Sequence, residues 1–136
     1  LVRTANPEIN VLGDFSFDYT DYLLADGDVS DEIYIATPIP LEPSAEVDAF
    51  YARYREKYGT EPTQWAVQLY DSVRMIVDTA VRIGSTDSAD IAQALHDEQG
   101  YDGVGGTIAF DAEGRLIGRS PRIMVSENGM FNFVEE

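Results

Sequence analysis

The sequence predicts an α/β fold, and three observations predict it. Ile9-Asn10-Val11-Leu12 and Ile33-Tyr34-Ile35-Ala36 are short apolar runs rich in β-branched residues, as buried strands require. Between residues 44 and 97 the apolar positions recur at three- and four-residue steps, the period of helices. Beyond Gly103 the period falls to two and turn residues punctuate the chain. Strands that alternate with helices and end in a β-rich tail indicate mixed layers around a shared core.

Taken in order, Leu1-Val2-Arg3-Thr4-Ala5 reads as the last turn of a helix, stopped by Asn6-Pro7. The chain opens without an initiator Met, which suggests a processed product or a cut fragment. A strand is expected near 9–13, closed by Gly13-Asp14, and a short helix near 18–25, with Tyr19, Tyr22 and Leu23 on one side. The second strand spans 33–37. Pro38, Pro40 and Pro43 then hold the chain extended, and this is the best boundary in the sequence.

Ser44 is a suitable N-cap for a helix over 44–58, with Glu46 in the first turn, where the helix dipole favours an anion. Val47, Phe50, Tyr51, Tyr54 and Tyr58 form its inward stripe, and Gly59 is its C-terminal stop. The longest helix is expected over 63–83. Its main buried face is Ala66, Leu69, Tyr70, Val73, Val77 and Ala80, widened by Trp65, Ile76 and Ile83, so cover on more than one side is expected. Asp87 caps a helix over 88–97 with Ile91, Ala94 and Leu95 inward. Strands follow near 106–110, 121–126 and 130–134, with Asn128-Gly129 as the turn of the last hairpin.

Composition bounds the function. With 136 residues, 44% of them hydrophobic, the chain can bury one real core. Its 25 acidic and 9 basic residues give a net charge of −16, which repels a phosphate backbone and excludes nucleic acid as a partner. An anionic membrane surface is disfavoured for the same reason. The acidity reads either as a solubility surface or as adaptation to high salt, where self-repulsion is screened. Cysteine is absent, which removes disulfides, thiol catalysis and zinc–thiolate sites.

Each candidate site in the sequence has a plain structural role beside it. Asp26, Asp28 and Ser30 imitate the start of a calcium loop. The pattern fails where a Gly and a bidentate Glu are needed, at Asp31 and Thr37, so a solvated turn is the reading and no metal is expected. Gly103, Gly105 and Gly106 follow a helix and precede a strand, the reverse of a phosphate-cradling loop; they permit a sharp entry into the strand. His96, the single histidine, sits beside Asp97 and Glu98 with no nucleophile motif, as a surface residue near a helix C-terminus does. Trp65 reads either as a core aromatic or as the wall of a pocket, because it stands in the first turn of a helix just after Pro62. Phe15 and Ser16 lie just past the carboxyl end of the first strand, where ligands of open α/β sheets bind.

Read jointly, Gly13, the helix ending Lys57-Tyr58-Gly59, Tyr70-Asp71-Ser72-Val73, Gly84-Ser85-Thr86-Asp87 and the Gly106–Gly114 segment resemble, in order and spacing, the C-terminal part of type I periplasmic binding proteins, the leucine/isoleucine/valine-binding family of ABC transporters. The resemblance covers nearly the whole chain. It implies part of a two-lobe fold that traps ligand by hinge closure. Residues 9–36 and 105–136 would belong to one lobe, 44–104 to the other, and 37–43 and 103–106 would be crossings. It implies capture of a small polar metabolite for a transporter permease outside the cytoplasm, with no cofactor and no catalysis. The alternative is the ligand-sensing domain of a signalling receptor on the same fold.

The implied ligand contacts are Phe15, Ser16 and Trp65, with Asp14 as a polar anchor. Branched-chain amino-acid binders often carry an acidic residue two positions after Gly13. Here that position is Phe15, which leaves room for an amide or aromatic acid beside an amino acid. Because family members are longer, exposed strand edges and apolar surface are expected, relieved by self-association, by a missing segment or by repacking.

Overall fold

The computed structural model describes residues 6, 8–17, 32–37, 41–97, 100–127 and 130–134. The helix expected over 18–25, the Asp26–Ser30 turn and the Asn128-Gly129 turn lie outside them. In chain order the elements are β1 (Val11–Asp14), a 3-10 turn (Phe15–Phe17), β2 (Ile33–Thr37), α1 (Ala45–Tyr58), α2 (Gln64–Ile83), α3 (Ser88–His96), β3 (Tyr101–Gly103), β4 (Gly106–Phe110), β5 (Leu116–Ile117), β6 (Arg122–Glu127) and β7 (Met130–Phe133). They form two compact units, one of residues 1–40 with 120–136, the other of residues 41–119.

The first unit is a four-stranded sheet in the order β1-β2-β6-β7. β1 runs parallel to β2 with Val11 opposite Ile33, and the remaining neighbours are antiparallel. β2 is bonded on both sides, and its alternate residues Ile33, Ile35 and Thr37 are the buried ones. The start of β2 is tied to β6 by Ser126, fully buried, whose Oγ accepts the Ile33 N–H at 2.9 Å. At the far edge the Arg122 guanidinium lies 4.3 Å from the Phe133 ring centroid, a cation–π contact.

The second unit holds the three described helices and the sheet β3-β4-β5. The helices start and stop where short-range chemistry dictates. Ser44 Oγ accepts the Val47 N–H at 3.1 Å, and Asp87 Oδ1 accepts those of Ala89 and Asp90. Gly59 and Gly84 close α1 and α2 in the left-handed conformation. Val47 and Phe50 are buried on α1, but Tyr58 is exposed, so the expected stripe goes inward only at its N-terminal end.

Two expectations are corrected here. First, the Gly103–Gly106 stretch is not a crossing. Tyr101–Gly103 pairs antiparallel with β4, and Val104-Gly105 is the turn of a hairpin. Residues 105–119, which the resemblance groups with residues 9–36, cluster with the helices because β4 is bonded to β3 and β5.

Second, the buried face of α2 is not the apolar one. The row inside is Gln64, Val67, Asp71, Met75 and Thr79. Leu69, Val73, Ile76, Val77 and Val81 are between 44% and 77% exposed. Asp71 supplies the reason. Its carboxylate, 3% exposed, accepts the N–H groups of Val104 and Gly105, each at 2.8 Å. These two charge-assisted bonds satisfy a hairpin turn and draw that side of the helix inward. A Cβ at Gly103 would stand 2.6 Å from Asp71 Oδ2, so only glycine lets the turn approach.

Candidate functional site

The sequence places Asp14, Phe15 and Ser16 at the carboxyl end of β1, and the structure brings them together there as one turn. Asp14 is the last strand residue. Its Oδ1 accepts the Ser16 N–H at 2.9 Å and a short hydrogen bond from the Ser16 hydroxyl. This local closure bends the chain into the 3-10 turn and fixes the Ser16 rotamer. The hydroxyl and then the N–H of Ser16 hold the Asp14 carboxyl below its ordinary range, so it is an anion at neutral pH. Phe15 is half-buried, while Asp14 and Ser16 are exposed. The turn thus presents an aromatic face, a hydroxyl and a carboxylate within three consecutive residues. β1 and β2 are parallel, so their carboxyl ends open on the same edge of the sheet, next to this turn.

Trp65 belongs to the second unit, in the first turn of α2, and is half-buried. Pro62 just before it is buried, and Thr63 holds the N-cap position in extended backbone, so the helix begins abruptly and its first turn is set in place.

One feature of the second unit went unread in the sequence. Phe50, Arg53, Tyr54, Lys57, Tyr58, Ala66 and Tyr70 line a groove of about 500 Å³ between α1 and α2. Its rings pack tilted against one another: Phe50 and Tyr70 at 5.2 Å and 57°, Tyr54 and Tyr58 at 4.6 Å and 50°. Lys57 Nζ lies 5.1 Å from the Tyr58 centroid. The signal was present in the sequence as the aromatic stripe 50, 54, 58, with two cations interleaved at 53 and 57. Helical periodicity alone assigns that stripe to the core.

The remaining titratable clusters act on the fold. Tyr101 donates to Asp78 Oδ2 at 2.8 Å, and Arg74 reaches the same carboxylate at 3.3 Å. Burial, then the bond to Asp78, raises the Tyr101 phenol above its ordinary value. The Tyr101 hydroxyl in turn lowers Asp78. Asp111 accepts the N–H groups of Glu113 and Arg115, together with Arg115 Nε, and so closes the β4–β5 turn. The Arg115 N–H is the main reason its carboxyl sits below the usual range. Among the described residues, no group of three His, Cys, Asp or Glu side chains gathers to hold a metal ion. No described helix is long and apolar enough to cross a membrane.

Comparison with known proteins converges on one family. The family model described as periplasmic binding protein matches residues 6–129. The branched-chain amino acid transporter substrate binding protein LivJ of Streptococcus pneumoniae, solved in complex with isoleucine, is similar at 27% identity and a TM-score of 0.80, over 97% of this chain and 39% of that one. The leucine binding protein LivK of Thermotoga maritima is similar in fold at 24% identity and a TM-score of 0.80, over 98% of this chain and 38% of that one. An extracellular ligand-binding receptor of Rhodopseudomonas palustris shares the fold at 16% identity and a TM-score of 0.70, over 98% and 43%. No curated protein sequence matches the chain. The chain therefore spans about two fifths of the length of the solved structures it resembles.

Proposed function

The chain belongs to the periplasmic binding protein family, and on that premise we propose that it is part of an extracytoplasmic receptor that captures a small metabolite and delivers it to the permease of an ABC importer. No bond is made or broken in this role. Capture is reversible and rests on shape, hydrogen bonding and lobe closure.

The observation that carries the reading is the Asp14-Phe15-Ser16 turn at the carboxyl end of a parallel strand pair. In this reading Phe15 packs against the apolar part of the ligand and the Ser16 hydroxyl meets its polar end. Asp14 holds Ser16 in place and supplies the negative charge that an ammonium or amide N–H favours. A ligand with one apolar and one polar end satisfies this set, which admits branched-chain amino acids, amides and aromatic acids. The LivJ likeness favours the first of these, since that protein holds isoleucine.

Isothermal titration of the polypeptide that carries this chain tests the reading, with leucine, isoleucine, phenylalanine, phenylacetamide and benzoate as ligands. Saturable binding of one class is expected, weakened about tenfold or more by Phe15→Ala, as the loss of one aromatic contact predicts. Absence of heat for every ligand overturns the capture role. A sensing role in a signalling receptor is the second reading, favoured by the likeness to an extracellular ligand-binding receptor. The two diverge in an uptake assay: deletion of the coding sequence abolishes accumulation of labelled ligand in the first reading and leaves it intact in the second.

A further inference from the structure

The first turn of α2 is built unlike those of its neighbours. Ser44 and Asp87 cap α1 and α3 with a side-chain acceptor, and both helices carry acids in their first turn. At α2 the N-cap is Thr63, whose hydroxyl makes no capping bond, and no acid stands in the first turn. That is so in a chain where 25 of 136 residues are acidic. The nearest carboxylates are committed elsewhere: Glu61 to Arg55 at 3.1 Å, and Asp71 to the Val104 and Gly105 N–H groups. Among the described residues nothing accepts the N–H of Thr63 or Gln64, at the positive end of a 20-residue helix.

Gln64 is the second, independent observation. It is the first residue of α2, lies on the buried row with Val67 and Asp71, and is 8% exposed. Helical side chains lean toward the helix N-terminus, so its carboxamide reaches back over the uncapped turn. Among the described residues nothing hydrogen-bonds that carboxamide. A buried amide left unmet is costly, and native proteins rarely keep one. This chain already buries Gln64, so what the side chain lacks is a hydrogen-bond partner and not a covering layer.

The donors select the partner. The Gln64 carboxamide, the Thr63 hydroxyl and the main-chain N–H groups of the turn all donate, and the helix end adds about half a positive charge. Paired N–H donors match the two oxygens of a planar carboxylate. No Lys, Arg or His stands among residues 60–68. The site therefore suits a singly charged carboxylate and falls short of a phosphate dianion.

We infer that the first turn of α2 is a carboxylate-binding subsite, in which Gln64 donates to one oxygen of a small organic acid and the main-chain N–H groups of the turn donate to the other. The inference rests on the capture role only for the kind of ligand, a free small metabolite, and uses residues of the second unit alone. It narrows that ligand to a molecule with a free carboxylate and excludes its simple amide.

Titration calorimetry of the polypeptide that carries this chain tests it with leucine, phenylalanine and benzoate, each against its own amide, and with inorganic phosphate. One of the acids should bind about tenfold or more tighter than its amide, as hydrogen bonds to a charged group predict. Gln64→Leu should weaken that acid about tenfold or more and leave the amide within about twofold. Gln64→Glu should weaken the acid further, because two anions would meet at the helix end. Without ligand, Gln64→Leu should keep the wild-type unfolding midpoint or raise it, since it removes an unmet buried amide. An amide that binds as tightly as its acid overturns the subsite and leaves the capture role standing, and so does an acid whose affinity Gln64→Leu does not move. A midpoint lowered by Gln64→Leu overturns it as well, because the carboxamide would then serve the fold. Phosphate bound more tightly than every acid overturns the assignment to a carboxylate. No heat from any acid also overturns the subsite; the capture role then stands if phenylacetamide binds and falls with it if nothing does.

Discussion

At Asp71 a single carboxylate accepts two main-chain N–H groups of a hairpin turn from a nearly dry site. Asp71→Ala leaves both donors unmet and opens a small void, and should cost about 3 kcal/mol in urea unfolding. Gly103→Ala should cost about 2 kcal/mol in the same measurement, because its Cβ would press on that carboxylate. Neither change touches the Asp14 turn, so ligand titration separates lost fold from lost site. Two half-buried groups predict pH effects of opposite sign. The lowered Asp111 carboxyl contributes stability that is present above the ordinary aspartate value of about 4 and is lost as pH falls through its folded value; Asp111→Asn should flatten that acid limb. The raised Tyr101 phenol contributes stability that is present below its ordinary value of about 10 and is lost as pH rises through its folded value. Tyr101→Phe should remove that alkaline limb, read as the urea midpoint against pH.

Among the elements, the caps behave as local chemistry demands. Ser44→Ala and Asp87→Ala should each lower stability by about 1 kcal/mol, measured by thermal unfolding, since each removes a side-chain acceptor from a helix N-terminus. The described helices and most strands were legible from the sequence for this reason. Ser44, Gly59, Gly84 and Asp87 act within a few residues of themselves, and the strand over 106–110 declares its own period. β3 was not legible. Tyr101-Asp102-Gly103 has no strand pattern of its own and is extended because β4 offers it partners. The inner face of α2 differs from its most apolar one because the buried Asp71 carboxylate holds the Val104 and Gly105 N–H groups there. In the candidate site, Asp14, Phe15 and Ser16 were readable as neighbours at a strand end, but the Asp14–Ser16 closure was not. The aromatic groove beside Arg53 and Lys57 was hidden because its rings serve both core and surface.

For the molecule as a whole, the net charge of −16 governs behaviour in solution. The unfolding midpoint should rise in about 1 M sodium chloride, because salt screens self-repulsion within the chain. A midpoint that stays flat or falls, followed by circular dichroism, would show that the acidic surface is spread widely enough to cost the fold little. Chemistry close along the chain settled where helices begin and end and which segments, β3 apart, are extended, since each depends on a residue and its near neighbours; the net charge, a plain sum over the residues, opposes nucleic acid. Contacts between distant segments settled which side of α2 is dry, that Gly103–Gly106 turns back on itself, and that a row of aliphatics faces water. Burial is a property of what packs on a surface, and a surface does not carry its partner's address in its own residues.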